Sequence, residues 1–418
     1  MLTVTEALNL ITAETAPLSP VTCSLADAFG LVLQTDVCCQ DDSPPFDKAL
    51  MDGYAVIASD IHPGCELDVI EEVTAGRVPE RTLSSGQATR IMTGAPIPDG
   101  ADAVVRVELT ELLGGDPERV RINSESATAG QDLIHRGTNK KAGDLVVPAG
   151  RTLRAQEMSA LAEMGQASLG VFPTPNIAVL ATGDELVPVD QPLGPGQIRN
   201  SNETMLAAQI RSAGGNPVPL GIARDNRDDL REHIERGLQN DILLLSGGVS
   251  AGKLDLVPSE LERAGVRQIF HKVRVKPGKP VWFGRLEADV DEPAAASRRE
   301  ANSDDRQCLV FGLPGNPVSS MVCFELFVRT AIRKLTGVSP AEPQSMSARL
   351  THSHSHKDDR ETYFPAAIDW TLDGPAVSLM NWHGSSDLQS TVDANAMAVF
   401  PAESREYAAD DMVDVVLW

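Results

Sequence analysis

The stretch DILLLSGGVS, residues 241–250, sets a short uninterrupted apolar run directly against a pair of glycines. A run of that length reads as a strand buried on both faces, as in a parallel sheet covered by helices. The glycines let successive backbone N–H groups converge on an anion. Gly247–Lys253 fits G-x-x-x-x-G-K, but Leu254 stands where a P-loop needs a Mg²⁺-binding hydroxyl, which excludes an NTPase of that kind. GPGQIR (194–199) is half of a dinucleotide fingerprint and follows no strand, so it carries nothing.

Outward from this stretch, strand and helix alternate from Asn176 to about Gly337. IAVLAT (177–182) reads as a strand, and SNETMLAAQIRSAGG as a helix with Ser201 or Asn202 as N-cap and Gly214 as its stop. PVPLGIA is a second strand, followed by a helix from about Asn226 to Gly237. A helix over roughly Leu254–Ala264 precedes the strand RQIFHKVRV, and the strand CLVFGL (308–313) feeds a helix from Pro317 to Thr336 capped by Asn316. Alternation of this kind predicts a mostly parallel sheet with helices on both faces. Residues 40–150 carry short β-branched runs between Gly and Pro, which suggests small antiparallel sheets or barrels, and short β segments return beyond Pro340. RTLRAQEMSALAEMG (151–165) is a helix expected to pack with the N-terminal one, and Leu286–Gln307 reads as a mobile polar insert.

Composition narrows the function. A chain of 418 residues exceeds one core, so two to four domains are expected. A formal charge of −23 argues against nucleic acid and acidic membranes, and an aromatic content of 4% against base-stacking platforms. The six cysteines (23, 38, 39, 65, 308, 323) form no CxxC, so neither a zinc site nor a disulfide framework is indicated, and Cys38–Cys39 reads as packing. Reduced thiols fit a cytoplasmic protein. The start of the chain reads as a short amphipathic helix and not a signal peptide, and no stretch approaches 18 apolar residues.

Against that acidic background, His271–Lys279 carries Lys272, Arg274, Lys276 and Lys279 with no acid. On a strand, positions 272, 274 and 276 share one face while Val273 and Val275 point inward. Such a row is a receptor for phosphate or another oxyanion, or else an edge strand that uses Lys against aggregation. Asp184, Glu185, Asp225 and Asp255 lie near the same turns. Asp225 alone could cap the following helix and Asp255 sit in a first turn, but acids beside a phosphate cradle repel the ligand unless a divalent cation bridges them, so their coincidence suggests Mg²⁺. HSHSH puts His352, His354 and His356 on one strand face, more in the manner of an exposed β edge than of a metal site.

In order, SPPFDKALMDGYAV, RIMTGAPIPDGADAVV, ATGDEL with PLGPGQIRNSN, GIARDN, LSGGVSAGKLDLV, KVRVKPGKPVWFG and FGLPGNPVSS resemble the MoeA/gephyrin E-domain family, the molybdopterin molybdenumtransferases, from about residue 43 to 320. The resemblance implies an elongated four-domain α/β subunit: residues 1–42 with 141–172 as a helical linker domain, and 43–140 as a β-rich domain. Residues 173–337 would form a three-layer α/β/α molybdopterin-binding domain, and 338–418 a small barrel-like β domain. It implies a cytoplasmic homodimer with its active site between subunits, which inserts molybdate into adenylylated molybdopterin with Mg²⁺ and releases AMP. The preceding adenylyltransferase and the molybdoenzyme acceptors would be its protein partners. By motif match, Asp52, Thr93, Glu185, Asp225, Asp255, Pro314 and Pro317 are catalytic, with Glu185, Asp225 and Asp255 on the metal. Gly247, Gly248, Ser250, Lys272, Arg274, Lys276, Lys279, Asn316 and Arg360 would bind substrate. Three positions depart from the family pattern: Lys253, Asn139 and Pro365 stand where relatives often carry an acid, an acid and a basic residue. Adenylylation of molybdopterin, nucleotide hydrolysis, and a non-catalytic pterin-binding scaffold are the competing readings; MDGYAV and RIMTGAP weigh against the first two.

Overall fold

The computed structural model describes residues 1–249, 256–286 and 307–418, so Ser250, Lys253 and Asp255 lie outside the described residues. The chain divides into two compact units, residues 1–34, 150–154 and 168–418 in the first and residues 35–149 with 155–167 in the second.

The first unit is built on a six-stranded sheet of β1 (Asn176–Thr182), β2 (Asn216–Ala223), β3 (Ile242–Ser246), β4 (Val266–His271), β5 (Trp282–Leu286) and β6 (Leu309–Leu313). The spatial order is β2-β1-β3-β6-β5-β4. The first four strands are mutually parallel, and β5 runs antiparallel to both β6 and β4. The apolar runs feed two cores because successive side chains alternate faces. Ile177, Val179, Leu244 and Phe311 enter one core, while Ala178, Leu180, Leu243, Leu245 and Val310 enter the other. Helices cover both: α1 (Val4–Glu14), α2 (Ser201–Ser212), α5 (Pro317–Cys323) and α6 (Arg329–Leu335) on the first face, α3 (Arg227–Gly237) and α4 (Val257–Arg263) on the second. The expected mostly parallel three-layer domain is present.

Several local expectations change. The N-cap of α2 is Asn200, whose side chain accepts from the Glu203 amide; Ser201 and Asn202 lie inside the helix. The helix after LPGNP runs to Leu335 through a π-helical segment, Phe324–Val328, between α5 and α6. RQIFHKVRV is not one strand. It ends at His271, Lys272 takes a left-handed φ of 72°, and Val275–Lys276 pairs instead with another sheet. Val273 and Val275 are fully buried, as the pattern requires. The N-terminal helix, α1, opens with a capping box between Thr3 and Glu6 and packs on α6 through Val4, Ala7 and Ile11, whereas the helix Ala155–Glu163 belongs to the second unit.

Beyond α6 the chain forms a closed five-stranded barrel of β7 (Ser345–Leu350), β8 (Glu361–Thr371), β9 (Gly374–Leu379), β10 (Ala396–Phe400) and β11 (Met412–Leu417). Pairing runs β8-β9-β7-β11-β10 and back to β8, which leaves the ring without an open edge. Val275–Lys276 adds to the start of β8 in parallel. In the second unit a six-stranded mixed sheet carries MDGYAV on its Gly53–Val56 strand. A Cβ at Gly53 would stand 2.0 Å from the Val105 carbonyl oxygen, so glycine is required there.

Phe311 is fully buried with its ring centroid 4.7 Å from that of Phe283. Phe311→Ala should therefore destabilise the first unit by about 3–5 kcal/mol, read as a shift in its urea unfolding midpoint.

Candidate functional site

Strands β1, β3 and β6 are in parallel register, with Ala181 opposite Ser246 and Ser246 opposite Leu313. Their carboxyl ends therefore release three turns at one level: Thr182–Glu185, Gly247–Val249 and Pro314–Asn316. From β1 the chain crosses to β2 on one side, and then returns to β3 on the other. The crevice between β1 and β3 is thus a topological switch point, where α/β sheets bind ligands. A cavity of about 960 Å³ opens there.

The structure brings Glu185, Asp225, Gly247, Gly248, Pro314, Asn316 and Pro317 into the wall of this one cavity, together with Asp184. Gly247 and Gly248 have φ values of +96° and +65°, open to glycine and strained for other residues. A Cβ on Gly248 would come within 2.7 Å of Val257 and 2.8 Å of the Thr182 hydroxyl. The Gly247 amide donates to the Leu313 carbonyl at 3.1 Å, which ties the second turn to the third. Asn202, offered by the sequence only as an N-cap, joins two of the turns. Asn202 donates through Nδ2 to Ser246 Oγ and to the Gly315 carbonyl, both at 2.8 Å. Arg199 also lines the cavity, and its Nε is spent on the Val189 carbonyl at 3.1 Å. Both sit within the quoted IRNSN, but neither residue type advertised its role. Thr182 Oγ1 and Asn202 Oδ1 are buried without a hydrogen-bond partner, unused polar capacity at the cavity wall.

The carboxylates also fall together. The Asp225 amide donates to Asp184 Oδ1 at 3.2 Å, and Asn226 rather than Asp225 caps α3; both acids line the cavity. Among the described residues no three acidic or histidine side chains converge as a ready metal cage. The donors are all oxygens, which suits a hard cation that keeps waters and shares substrate phosphates.

The cations are placed elsewhere. None of Lys272, Arg274, Lys276 and Lys279 lines this cavity, although Pro280 does. Lys276 forms an ion pair with Asp358 at 2.9 Å, Arg360 bonds the same carboxylate at 3.1 Å, and Arg274 donates to the Asp359 carbonyl at 2.7 Å. Burial works to raise the Asp358 pKa, but the hydrogen bonds from Lys276 and Arg360 outweigh it and hold the group at about 2. Pro365 lies on β8 opposite Met397. The helix start at LPGNP offers less than its sequence suggested: Pro317 has no N–H, and the Val318 amide already donates to the Ser385 carbonyl at 3.0 Å. Asn316 Nδ2 likewise bonds Ser385 Oγ at 2.8 Å.

Asp52 and Thr93 lie in the second unit. Asp52 Oδ1 accepts from both the amide and the hydroxyl of Thr93 at 2.7 Å, and those bonds, the amide first, lower its pKa. The carboxylate is thereby oriented and kept ionised. Of the histidine run, His352 is exposed, as expected of an edge, whereas His354 is half-buried and His356 buried. The His354 and His356 rings pack on Phe400 at 4.6 and 5.4 Å between centroids, and burial lowers the pKa of both. They serve as packing against Phe400.

Comparison with known proteins places this geometry. Residues 2–165 match the MoeA N-terminal region (domain I and II), and residues 178–334 match the probable molybdopterin binding domain. A molybdopterin molybdenumtransferase of Nostoc sp. is 36% identical, covering 90% of this chain and 83% of the relative. The enzyme of that name from Bacillus subtilis is 32% identical over 94% of this chain and 89% of its own length. Among solved structures, a molybdopterin biosynthesis MoeA protein from Pyrococcus horikoshii superposes with a TM-score of 0.80 at 26% identity, over 100% of both chains.

Gly248→Ala should cost about 1–3 kcal/mol from overpacking against Val257 and Thr182, measured by urea unfolding. Asp358 supplies an acid-side dependence of stability. Its native pKa lies below the usual 3.8, so the contribution is complete above that value and lost as pH falls toward about 2. Asp358→Asn should flatten the fall in unfolding free energy between about pH 4 and about pH 2.

Proposed function

The chain belongs to the molybdopterin molybdenumtransferases, enzymes of molybdenum cofactor biosynthesis, and from that premise we propose that it inserts molybdate into adenylylated molybdopterin with release of AMP. The observation that carries this reading is the switch-point cavity, in which a twin-glycine turn faces the carboxylates of Glu185 and Asp225. The Gly247–Gly248 turn would receive the terminal phosphate of the pterin, with the Thr182 hydroxyl as the additional donor. Asn202 holds the Ser246 and Gly315 ends of the two flanking turns at fixed separation, so the cradle is preorganised before substrate arrives.

Glu185, Asp225 and, outside the described residues, Asp255 would hold Mg²⁺, which when bound would neutralise the pyrophosphate and ease departure of AMP. Lys276, Arg360 and Arg274 gather around Asp358 and Asp359, three cations against two carboxylates, which leaves a surplus of one positive charge. That cluster would take the incoming oxyanion. Asp52, ionised and fixed by Thr93, would act as the second unit's contribution to proton handling.

We further propose a homodimer with its site between subunits, a four-domain division at residues 1–42 with 141–172, 43–140, 173–337 and 338–418, and a cytoplasmic location. The six free thiols support the location, and among the described residues no helix is long and apolar enough to cross a membrane.

The test is AMP release from adenylylated molybdopterin with Mg²⁺, with and without molybdate. Molybdate-dependent release supports insertion; retention of the substrate without release would replace it by a binding scaffold. Asp52→Asn and Asp225→Asn should each abolish release while leaving the fold intact by circular dichroism. Mixed after subunit exchange, the two variants should recover up to about a quarter of wild-type activity if the site is shared between subunits. No recovery in exchanged heterodimers would place each site within one subunit.

A further inference from the structure

A second cavity, of about 370 Å³, opens in the first unit where the ends of α2 and α6 meet the Gly30–Val32 and Phe172–Thr174 segments. It shares no lining residue with the switch-point cavity. Three arginines, Arg211, Arg329 and Arg333, enter its wall, and no carboxylate does. In a chain with 59 acids against 36 bases, that lining is the reverse of what composition would supply.

The charges are also poorly compensated. Arg329 and Arg333 stand one turn apart on the same helical face, where like charges repel. Glu325 pairs with Arg329 through two hydrogen bonds, one at 3.0 Å, so that carboxylate is committed. Among the described residues, the Pro340 carbonyl, at 2.9 Å, is the one direct acceptor for the Arg333 side chain. Burial, and next the charge of Arg329, weaken its hold on its proton, with the charge of Glu342 opposing. Arg211 is exposed and has no ion-pair partner among the described residues. The hydroxyl residues Thr152 and Ser212 line the same cavity, and Phe172 closes it with an apolar wall.

We propose that this cavity is a receptor for a small multivalent oxyanion, a phosphoryl compound or a polycarboxylate, bound by Arg211 and Arg333 apart from the switch-point cavity. Guanidinium forks match the oxygens of either group in bidentate fashion. The volume admits a small molecule and not a polymer. Because its walls come from segments distant in sequence, an occupant would cross-link the N-terminal arm to the ends of α2 and α6 and raise the stability of the folded unit.

Calorimetric titration with pyrophosphate and, separately, with citrate tests this on the wild-type chain, Arg211→Ala and Arg333→Gln. The wild type should bind at least one of the two, with a matching rise in melting temperature. Each variant should weaken that binding roughly tenfold or more and lose the thermal shift, the effect of one charge-assisted bond. Binding of pyrophosphate alone identifies a phosphoryl ligand, and of citrate alone a polycarboxylate. No binding of either, or equal binding and thermal shift in wild type and both variants, overturns the proposal. Arg211 is exposed at a helix end, so its variant folds and keeps the test decisive even if Arg333→Gln does not. The outcome is independent of whether the chain releases AMP.

Discussion

The candidate site depends on one constraint: β1, β3 and β6 must be buried on both faces at once. Ile177 and Val179 face one helical layer while Ala178 and Leu180 face the other, and the same alternation holds in β3 and β6. Burial on two sides fixes register, because a one-residue slip would exchange the two cores. Register in turn sets Ala181, Ser246 and Leu313 side by side, so the three turns that follow start level with one another. The geometry of the candidate site is inherited from apolar packing; the polar groups were given no freedom to arrange themselves.

Much of this was legible in the sequence because it is local. The apolar runs of 177–182, 241–246 and 308–313 announce buried strands, and Gly247–Gly248 announces a turn that other residues enter only with strain. What escaped depends on partners far along the chain. The period-two reading of Lys272, Arg274 and Lys276 assumed one continuous strand, but Lys272 turns left-handed and no residue type there signals it. Three adjacent capping residues, Asn200, Ser201 and Asn202, are locally equivalent; tertiary contacts choose Asn200 as the cap and send Asn202 to bridge two turns. Alternation put His354 and His356 on a common face, but whether that face meets water was decided by Phe400, more than forty positions later.

The same distinction runs through the electrostatics. Net charge describes the chain as a repellent of polyanions, yet charge works here in small, separately compensated groups. Lys276 and Arg360 are gathered by Asp358, and Arg227, Arg231 and Arg263 by the fully buried Glu260 that ties α3 to α4. In each case one desolvated acid organises several bases, and truncating it would leave them facing one another. Individual arginines are therefore fixed in direction long before any ligand is considered.

The docking of α1 on α6 has a consequence for synthesis. The helix Val4–Glu14 finds its apolar partner only when Arg329–Leu335 has been made, more than three hundred residues later. At about 5–20 residues per second the ribosome needs on the order of 15–60 s to supply it. The segment 35–149, by contrast, contains nearly all of its own sheet and is complete early. An internal piece thus closes while the segment before it waits, its Val4, Ala7 and Ile11 stripe without the partner that buries it in the folded chain until the far half emerges.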